Sequence, residues 1–572
     1  MRQVPPQVPA ATTSASGHAT ATNVRSLICA ANVGNLDIPD NSAEPKSLSG
    51  LPTPLNVLRF KAYIQGYRSP YPQDLVKGFS EGFRLQSTLS SDPQKQQYTN
   101  HRSALEKKDI VQAKLRKELR LQRISGPFES PPFHPFILSP LGLVPKKVPN
   151  EYRLIHDLSF PKSDSVNSHI DPYYSAVRYE DLDHCLSMIL ALGVGTLISK
   201  ADLKDAFRII PIHPSDYKLL GFSWDGKFYY DRCLPMGCSI SCQIFESFSC
   251  AIQWILTKKL DIPHMSHILD DYIFFGAKGT IHAKKSLQTF EVLAESLSLP
   301  LKHEKTVQPS TRVVLHGILV DTITMQLELP QDKVDTAKEK IKGMQHRKKV
   351  TLQSLQSLIG LLQFACRAIV PGRTFLRRLI DLTKGVQSKH LIKLSREAIL
   401  DLAAWLSFLQ VFNRRVLILP ELWATSATLK LFSDASGHAF AAVFGAKWIQ
   451  GQFPKQWVTK NIAIKELLPI VLAVRMWAQH LKNKRIMFFT DNLAIVSVIN
   501  NTTSKEKGLM LLVRQLVIVS LANNILFCAK HIPGRHNRIP DMLSCSQIPQ
   551  ALRVAPWLDP LPTAIPAEYL PW

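Results

Sequence analysis

The chain has 572 residues, 45% of them apolar, which is enough for several hydrophobic cores and excludes a chain disordered throughout. Lys and Arg number 69 against 45 Asp and Glu, a formal charge of +24 that points to a polyanionic partner such as nucleic acid. The 9 cysteines form no C-x-x-C pair, and Cys238 and Cys242 beside a glycine turn are only a weak metal signal, so all are read as reduced thiols. With no charged-then-apolar leader and no apolar run near the ~20 residues of a membrane span, a soluble, non-secreted protein of the cytoplasm or nucleus is expected, without a membrane partner.

Residues 1–50 are rich in Ala, Thr, Ser, Pro and Asn without periodicity, and a disordered segment is expected there. Apolar and aromatic residues over 55–85 predict short helices, within a helical extension covering 51–104. Leu105, Ile110, Val111, Leu115, Leu119 and Leu121 recur at near-helical spacing and predict a helix over 105–123, ended by Gly126-Pro127. Apolar runs at 141–144 and 152–158 predict a hairpin around the turn 145–150. It would bring Lys146, Lys147 and Arg153 together, as a solvated cationic face or as a clamp on a triphosphate, for which Arg offers a planar fork and Lys a point charge.

A short strand over 196–199 leads to Asp202 at its end, and a second hairpin joins 219–222 to 228–231 through Trp224-Asp225-Gly226. Leu234-Pro235-Met236-Gly237 reads as a simple turn or as a tight loop whose glycine admits a ligand close to the backbone. A helix follows, with Ile244, Phe245, Phe248, Ile252, Ile255 and Leu256 on one face. Asp270 and Asp271 then separate two apolar runs, Ile268-Leu269 and Tyr272-Ile273-Phe274-Phe275. Alone, this is a hairpin tip with solvated acids; the sharper alternative is a carboxylate pair for a divalent metal, which needs a third acid from elsewhere. A helix over 282–298, the triplet His303-Glu304-Lys305 and a strand over 313–320 complete this part. Residues 331–394 read as basic helices, 399–411 as a helix carrying Trp405, and the surroundings of Pro420 as a linker.

From 428 the period returns to that of strands. Residues 429–434 alternate into Asp434, two more strands are expected at 440–444 and 448–453, and a long helix over 462–481 carries Glu466. A strand over 485–490 ends at Asp491, a helix covers 508–522, a strand covers 525–531, and Gly534-Arg535-His536-Asn537 turns the chain before Asp541. The Pro-rich tail beyond Ile548 reads as extended.

Two sets of acids emerge. Asp202, Asp270 and Asp271 would repel one another if brought together without cations. Two Mg²⁺ ions would resolve this, one activating a primer 3′-hydroxyl and the other holding the triphosphate. Asp434, Glu466, Asp491 and Asp541 sit at strand ends and on helices, and four acids at one edge of a mixed sheet suit a two-metal nuclease; singly, each reads as a surface acid.

Residues 105–547 resemble the reverse transcriptase and ribonuclease H segment of retroelements. The wording from Leu234 to Cys242, with Ile268-Leu269-Asp270-Asp271 where Tyr-x-Asp-Asp is usual, looks most like the DIRS-like (tyrosine-recombinase) retrotransposons. The resemblance implies an α+β multidomain fold: a right-hand polymerase of fingers and palm (105–325) and thumb (326–394), a connection (395–424), an RNase H-like α/β domain with a mixed five-stranded sheet (425–547) and a tail (548–572). It implies that Asp202, Asp270 and Asp271, and separately Asp434, Glu466, Asp491 and Asp541, are catalytic metal ligands for two Mg²⁺ or Mn²⁺ ions per site. Lys146, Lys147 and Arg153 would grip the incoming deoxynucleoside triphosphate, Phe207 would be the gate against a ribose 2′-hydroxyl, Met236 and Gly237 would line the nucleotide site, and Lys305 would lie near the leaving group. The implied partners are an RNA template, a DNA primer and RNA–DNA hybrid. The implied activity is RNA-directed DNA synthesis with cleavage of the hybrid's RNA strand, the alternatives being a non-catalytic nucleic-acid-binding relic or an enzyme with only the nuclease active. Two departures stand out: Ile268 replaces a tyrosine expected near the primer end, and Met236 replaces a retroviral glutamine. His536 lies out of register with a retroviral catalytic histidine. No protease motif is present, and too little chain follows Asp541 for an integrase or recombinase.

Overall fold

The computed structural model describes residues 50–71, 74–89, 99–146, 148–162, 164–347, 349–387, 390–411, 416–417, 424–425, 429 and 431–572. The expectations for residues 1–49, for Lys147 and for the linker at Pro420 therefore lie outside the described residues. The chain divides into two compact units, one ending at Ser310 and one beginning at Thr311. Among the described residues no helix is long and apolar enough to cross a membrane.

In the first unit, helices Val57–Tyr63 and Leu75–Glu81 fulfil the expectation for 55–85. Helix α1 (Lys108–Arg120) buries Val111 and Leu115, one turn apart, and leaves most of its Lys and Arg outside. Its partners are β1 (Ile124–Phe128), the hairpin β2 (Leu141–Pro145) and β3 (Tyr152–His156), and the hairpin β5 (Gly221–Trp224) and β6 (Lys227–Asp231). Gly126 and Pro127 lie inside β1; the helix ends earlier than they suggested, at Arg120, and Gln122 just beyond its cap is left-handed (φ +57°). Asp225-Gly226 has positive φ at both positions, the two-residue turn that matches strand twist.

The centre of the unit is a four-stranded antiparallel sheet ordered β7 (Met265–Ile268), β8 (Asp271–Gly276), β4 (Leu197–Asp202), β9 (Val307–Ser310). Its core faces α2 (Ser241–Trp254) and α3 (His282–Ser296). Phe245 and Phe248 from α2 and Phe290 from α3 are fully buried, with Phe290 ring centroids 4.6 Å from Tyr272 and 5.6 Å from Phe274. Each such ring contributes ~2–3 kcal/mol of burial, which makes the sheet a rigid base for what lies at its end.

The second unit opens with the meander β10 (Arg312–Leu315), β11 (Ile318–Asp321) and β12 (Gln326–Glu328). The single strand expected over 313–320 is thus a hairpin: His316 and Gly317 both have positive φ and reverse the chain. Helices α4 (Gln331–Gln345), α5 (Leu352–Ala365) and α6 (Arg396–Val411) follow, with Val334, Ile341, Leu358, Leu362 and Trp405 buried.

The rest of this unit is built on β13 (Leu431–Ala435), β14 (Ala439–Phe444) and β15 (Lys447–Gln452), an antiparallel meander. Helix α7 (Ile462–Met476) follows, and after a break at Trp477 a short helix, Ala478–Leu481, continues to the predicted end at 481. Strand β16 (Arg485–Thr490) lies beside β13 and pairs in parallel with both the two-residue strand Ala424–Thr425 and β17 (Leu526–His531). The strands thus form two three-stranded ladders, the antiparallel β13-β14-β15 and the parallel one of Ala424–Thr425, β16 and β17, in place of the single mixed five-stranded sheet that was expected. Helices α8 (Leu493–Asn501, not anticipated), α9 (Lys507–Ala522) and α10 (Arg538–Ser544) complete it. The tail is not wholly extended: Ile548–Val554 is a helix with Pro549 at its start, where a proline costs no hydrogen bond, and Ala551, Ala555 and Leu558 are buried beside Met542 and Leu543.

Two candidate active sites

Asp202 is the last residue of β4 and Asp271 the first of β8, and the two are direct partners across the antiparallel ladder. Asp270 occupies the β7–β8 turn, and its carbonyl accepts the Leu203 N–H at 3.1 Å, which ties the turn to the residue after Asp202. The three acids are therefore brought together. Asp202 is buried, 4% exposed. Burial, the charge of Asp202 and that of Asp271 push the Asp270 carboxyl up to about 6. Asp202 is raised too, by burial first and by Asp271, against the pull of Lys305.

Lys305 Nζ lies 2.5 Å from Asp202 Oδ2 and Lys200 Nζ lies 3.4 Å from Asp271 Oδ2. Burial lowers the Lys305 ammonium, but its hydrogen bond to Asp202 and the charges of Asp202, Asp271 and Asp270 raise it overall. Lys305 was legible in the sequence, whereas Lys200, two residues before Asp202 on the same strand, was not singled out.

The other sequence candidates are dispersed around this group. Lys146 Nζ pairs with Glu151 Oε2 at 2.9 Å, and Arg153 is exposed on β3 opposite Val144. Burial and the charge of Lys146 lower the Lys114 ammonium of α1, so the hairpin's cationic patch extends to that helix. Gly237 has φ +129°, and a Cβ there would stand 2.0 Å from the His156 carbonyl oxygen. The loop is further pinned by Met236 O accepting the His156 N–H (3.1 Å) and Gly237 O accepting Asn167 Nδ2 (2.7 Å). Phe207 is half-buried with its ring 5.7 Å from that of Phe245, edge to face.

A buried ion network lies behind them. Arg208 donates to Asp231 Oδ1 (2.7 Å) and to Glu118 Oε2 (3.0 Å); Asp231 Oδ2 bonds His156 Nδ1 (2.9 Å), and Arg123 donates to Asp205 Oδ2 (2.9 Å). It joins α1, β6 and β3 to the segment between Asp202 and Phe207.

Under the β7–β8 hairpin, Glu246, Cys250 and His267 bring one ligand atom each within 4.8 Å of one another, a set able to hold one metal ion. The sequence reading found no histidine at zinc spacing because the three come from one helix turn and a separate strand. Cys238, by contrast, is buried and belongs to no such set among the described residues.

In the second unit Asp434 lies on β13, Glu466 on α7, Asp491 directly after β16, and Asp541 on α10. Burial and the charges of Asp541 and Asp491 push Asp434 up to about 6; burial and the charges of Asp491 and Asp434 push Glu466 up to about 7. The four thus share one field. Asp434 is oriented by Ser544 Oγ (2.6 Å) and Asn537 Nδ2 (3.3 Å), two residues to which the sequence reading gave no role. Glu466 Oε2 is buried without a hydrogen-bond partner. A Cβ on Gly534 would stand 2.9 Å from Asp491 Oδ2, and His531 Nε2 lies 3.1 Å from the Asp491 carbonyl oxygen. His536 is exposed in the turn Gly534–His536.

Residues 144–341 match the family model described as "Reverse transcriptase (RNA-dependent DNA polymerase)". The Pro-Pol polyprotein of feline foamy virus is 26% identical over 312 residues, 54% of this chain and 23% of the polyprotein. That of simian foamy virus type 1 is 24% identical over 308 residues, with the same shares. The chain thus spans less than a quarter of the length of these curated relatives. Among solved structures, foamy viral protease-reverse transcriptase in complex with dsDNA has 17% identity and a TM-score of 0.46, over 86% of this chain and 100% of that one. The same protein with RNA/DNA hybrid has 16% identity and a TM-score of 0.45, over 85% and 64%.

These relatives are retroviral, and they overturn the expected kinship with DIRS-like retrotransposons. That expectation rested on the wording of two turns, Leu234 to Cys242 and Ile268 to Asp271, whose composition answers to local turn geometry and does not discriminate between classes of element. The fold is a mixed α/β multidomain one, and residues 144–341 within it match the reverse transcriptase family model.

Proposed function

We propose that this chain is an RNA-directed DNA polymerase that also cleaves the RNA strand of RNA–DNA hybrids, with each activity at its own set of acids. The observation that carries the reading is the pairing of Asp202 with Asp271 across β4 and β8, with Asp270 in the adjoining turn, alongside a separate four-acid group in the second unit. Both groups suit Mg²⁺ or Mn²⁺. Their donors are hard carboxylate oxygens, burial and then the neighbouring acids push up Asp270, Asp434 and Glu466, and Glu466 holds a buried oxygen without a partner. Two ions per site, when bound, would supply a more acidic primer hydroxyl or water and neutralise charge at the leaving oxygen.

The protein's own part is to hold and align. Asp202, Asp270 and Asp271 would face the primer end and the triphosphate. Lys146, Lys147 and Arg153 would bind the phosphates, with Lys146 exchanging Glu151 for them. Phe207 would exclude a 2′-hydroxyl, with Met236 and Gly237 beside the sugar. Lys305, held on Asp202, would turn to the leaving phosphate once that charge is otherwise met. In the second unit Asp434, Glu466, Asp491 and Asp541 would align the scissile phosphate and a water, with Ser544 and Asn537 fixing Asp434. Residues 326–394 would be the thumb, holding duplex RNA–DNA by its phosphates.

The test is primer extension on an RNA template with Mg²⁺ and deoxynucleoside triphosphates, run beside cleavage of a labelled hybrid. Extension by wild type and not by Asp270→Asn supports the reading. A wild-type chain that binds hybrid and performs neither reaction would be a non-catalytic relic, and one that only cleaves would be a nuclease.

A further inference from the structure

Leu269, the residue before Asp270, holds a left-handed backbone with φ +51°, an uphill conformation for a residue with a branched side chain. Something must hold it there. Both of its peptide polar groups are taken by side chains of α2: its N–H donates to Glu246 Oε2 at 3.2 Å, and its carbonyl accepts Ser249 Oγ at 2.8 Å. The other oxygen of Glu246 lies 3.2 Å from His267 Nε2 on β7, so one carboxylate grips both the strand and the turn it leads into. On its other side β7 is held by Glu180, whose Oε2 accepts Ser266 Oγ at 2.6 Å and the His267 N–H at 3.3 Å.

Glu246 and His267 are each 1% exposed. A carboxylate is costly at such a place unless its oxygens are bonded, so its position answers to those bonds and not to solvent. The next peptide is fixed from the opposite direction, by Leu203 N–H on Asp270 O. The turn is therefore clamped between α2 and the residue that follows Asp202.

Resting on the polymerase reading above, we propose that Glu246 and Ser249 are positioning residues of the first site. They lock the left-handed turn at Leu269 and so set the direction of the Asp270 carboxylate relative to Asp202. Neither touches the substrate or the acids' carboxylates; they act through the Leu269 peptide.

The test uses the full chain carrying Asp434→Asn and Asp491→Asn, which disable the second acid group, with Glu246→Ala, Glu246→Gln, Ser249→Ala and Cys250→Ser added singly. Mn²⁺ binding is followed by electron paramagnetic resonance, and the Mg²⁺ dependence of primer extension is measured in parallel. Removing one hydrogen bond to the turn, as Ser249→Ala does, is expected to weaken Mn²⁺ binding and raise the half-saturating Mg²⁺ by about tenfold, with the melting profile kept. Glu246→Ala should do at least as much. Glu246→Gln keeps an acceptor for the Leu269 N–H and should stay nearer the parent, and Cys250→Ser should match it. Unchanged Mn²⁺ binding in both Ser249→Ala and Glu246→Ala would overturn the proposal. So would a loss in Cys250→Ser equal to that in Glu246→Ala, since the ion would then sit on Glu246, Cys250 and His267 themselves. A parent that binds Mn²⁺ through this clamp yet extends no primer would sink the polymerase reading and leave the clamp standing.

Discussion

Asp202 and Asp271 face each other as ladder partners, one closing β4 and the other opening β8, in a sheet whose interior is filled with aromatic rings. Because a rigid ladder fixes their separation, loss of one acid is not repaired by movement of another. Asp270→Asn is expected to lower primer extension by roughly three orders of magnitude, about 4 kcal/mol of barrier, with hybrid cleavage within twofold of wild type. Asp491→Asn should do the reverse. Loss of both activities in either folded variant would defeat the assignment of separate sites.

Phe207 is half-buried, with its ring edge to face on Phe245 and therefore braced from one side. Phe207→Ala should let ribonucleotides into the product at an efficiency raised by about a hundredfold, the scale of one large steric contact. Steady-state incorporation of paired ribo- and deoxyribonucleotides reads this directly. Unaltered sugar selectivity would remove Phe207 from the nucleotide site.

Glu466, pushed up from 4.5 to about 7 by burial and by Asp491 and Asp434, disfavours its charged form in the fold. A carboxyl raised in this way binds more protons folded than unfolded. Its stabilising contribution is therefore full below about 4.5, falls as pH rises and is gone above about 7. Metal-free Glu466→Gln should accordingly be more stable than wild type at pH 8 by roughly 1 kcal/mol, solvent screening having cut the ~1.4 kcal/mol per pH unit expected of a dry site. The advantage should vanish near pH 4.5. For the same reason the Mg²⁺ needed for half-maximal hybrid cleavage should rise as pH falls from 7.5 to 6, and a pH-independent requirement would contradict the shared field.

Arg208 is the hub of the buried network, and its partner Asp231, against the effect of burial, is held well below the usual carboxylate range by Arg208 and His156. Removing Arg208 leaves the buried Asp231 with His156 alone and Glu118 with only a 3.9 Å contact to Arg123. Arg208→Ala should cost about 3–5 kcal/mol in chemical denaturation of the chain, far more than Arg102→Ala, whose exposed ion pair with Glu106 is worth little.

Helix α4 carries the cations Lys333, Lys338, Lys340 and Lys342, while its Val334 and Ile341 are buried. If they hold duplex phosphates, affinity for an RNA–DNA hybrid should fall by at least tenfold between 50 and 200 mM salt, roughly the loss from releasing a few counterions. Flat binding over that range, measured by fluorescence anisotropy, would exclude them from the thumb role.

Asp202, Asp434 and Asp491 stood out in the sequence because each lies at or just past the end of a strand-forming run, whereas Glu466 and Asp541 lie on helices where no such run marks them. What supports the acids did not stand out. Glu246 and Ser249 share a helix face with core phenylalanines and reveal their use only against a turn twenty residues on. Ser544 and Asn537 read as ordinary turn and helix residues until Asp434 is set beside them. The hairpin at His316-Gly317 was missed because a non-glycine in the left-handed region leaves no mark in an apolar run. The tail helix was missed because Pro549 suggested an extended chain while serving as a helix start.

The ammonium of Lys305 on Asp202 gives the first site a built-in placeholder for positive charge, while among the described side chains no Lys or Arg forms an ion pair with Asp434, Glu466, Asp491 or Asp541. Purification in chelator should therefore affect the two sites unequally. The first site can wait for cations with part of its charge covered, whereas the second waits with its repulsion uncovered and should be the first to loosen. Divalent cation would then act on one as a competitor displacing a resident, and on the other as a cement.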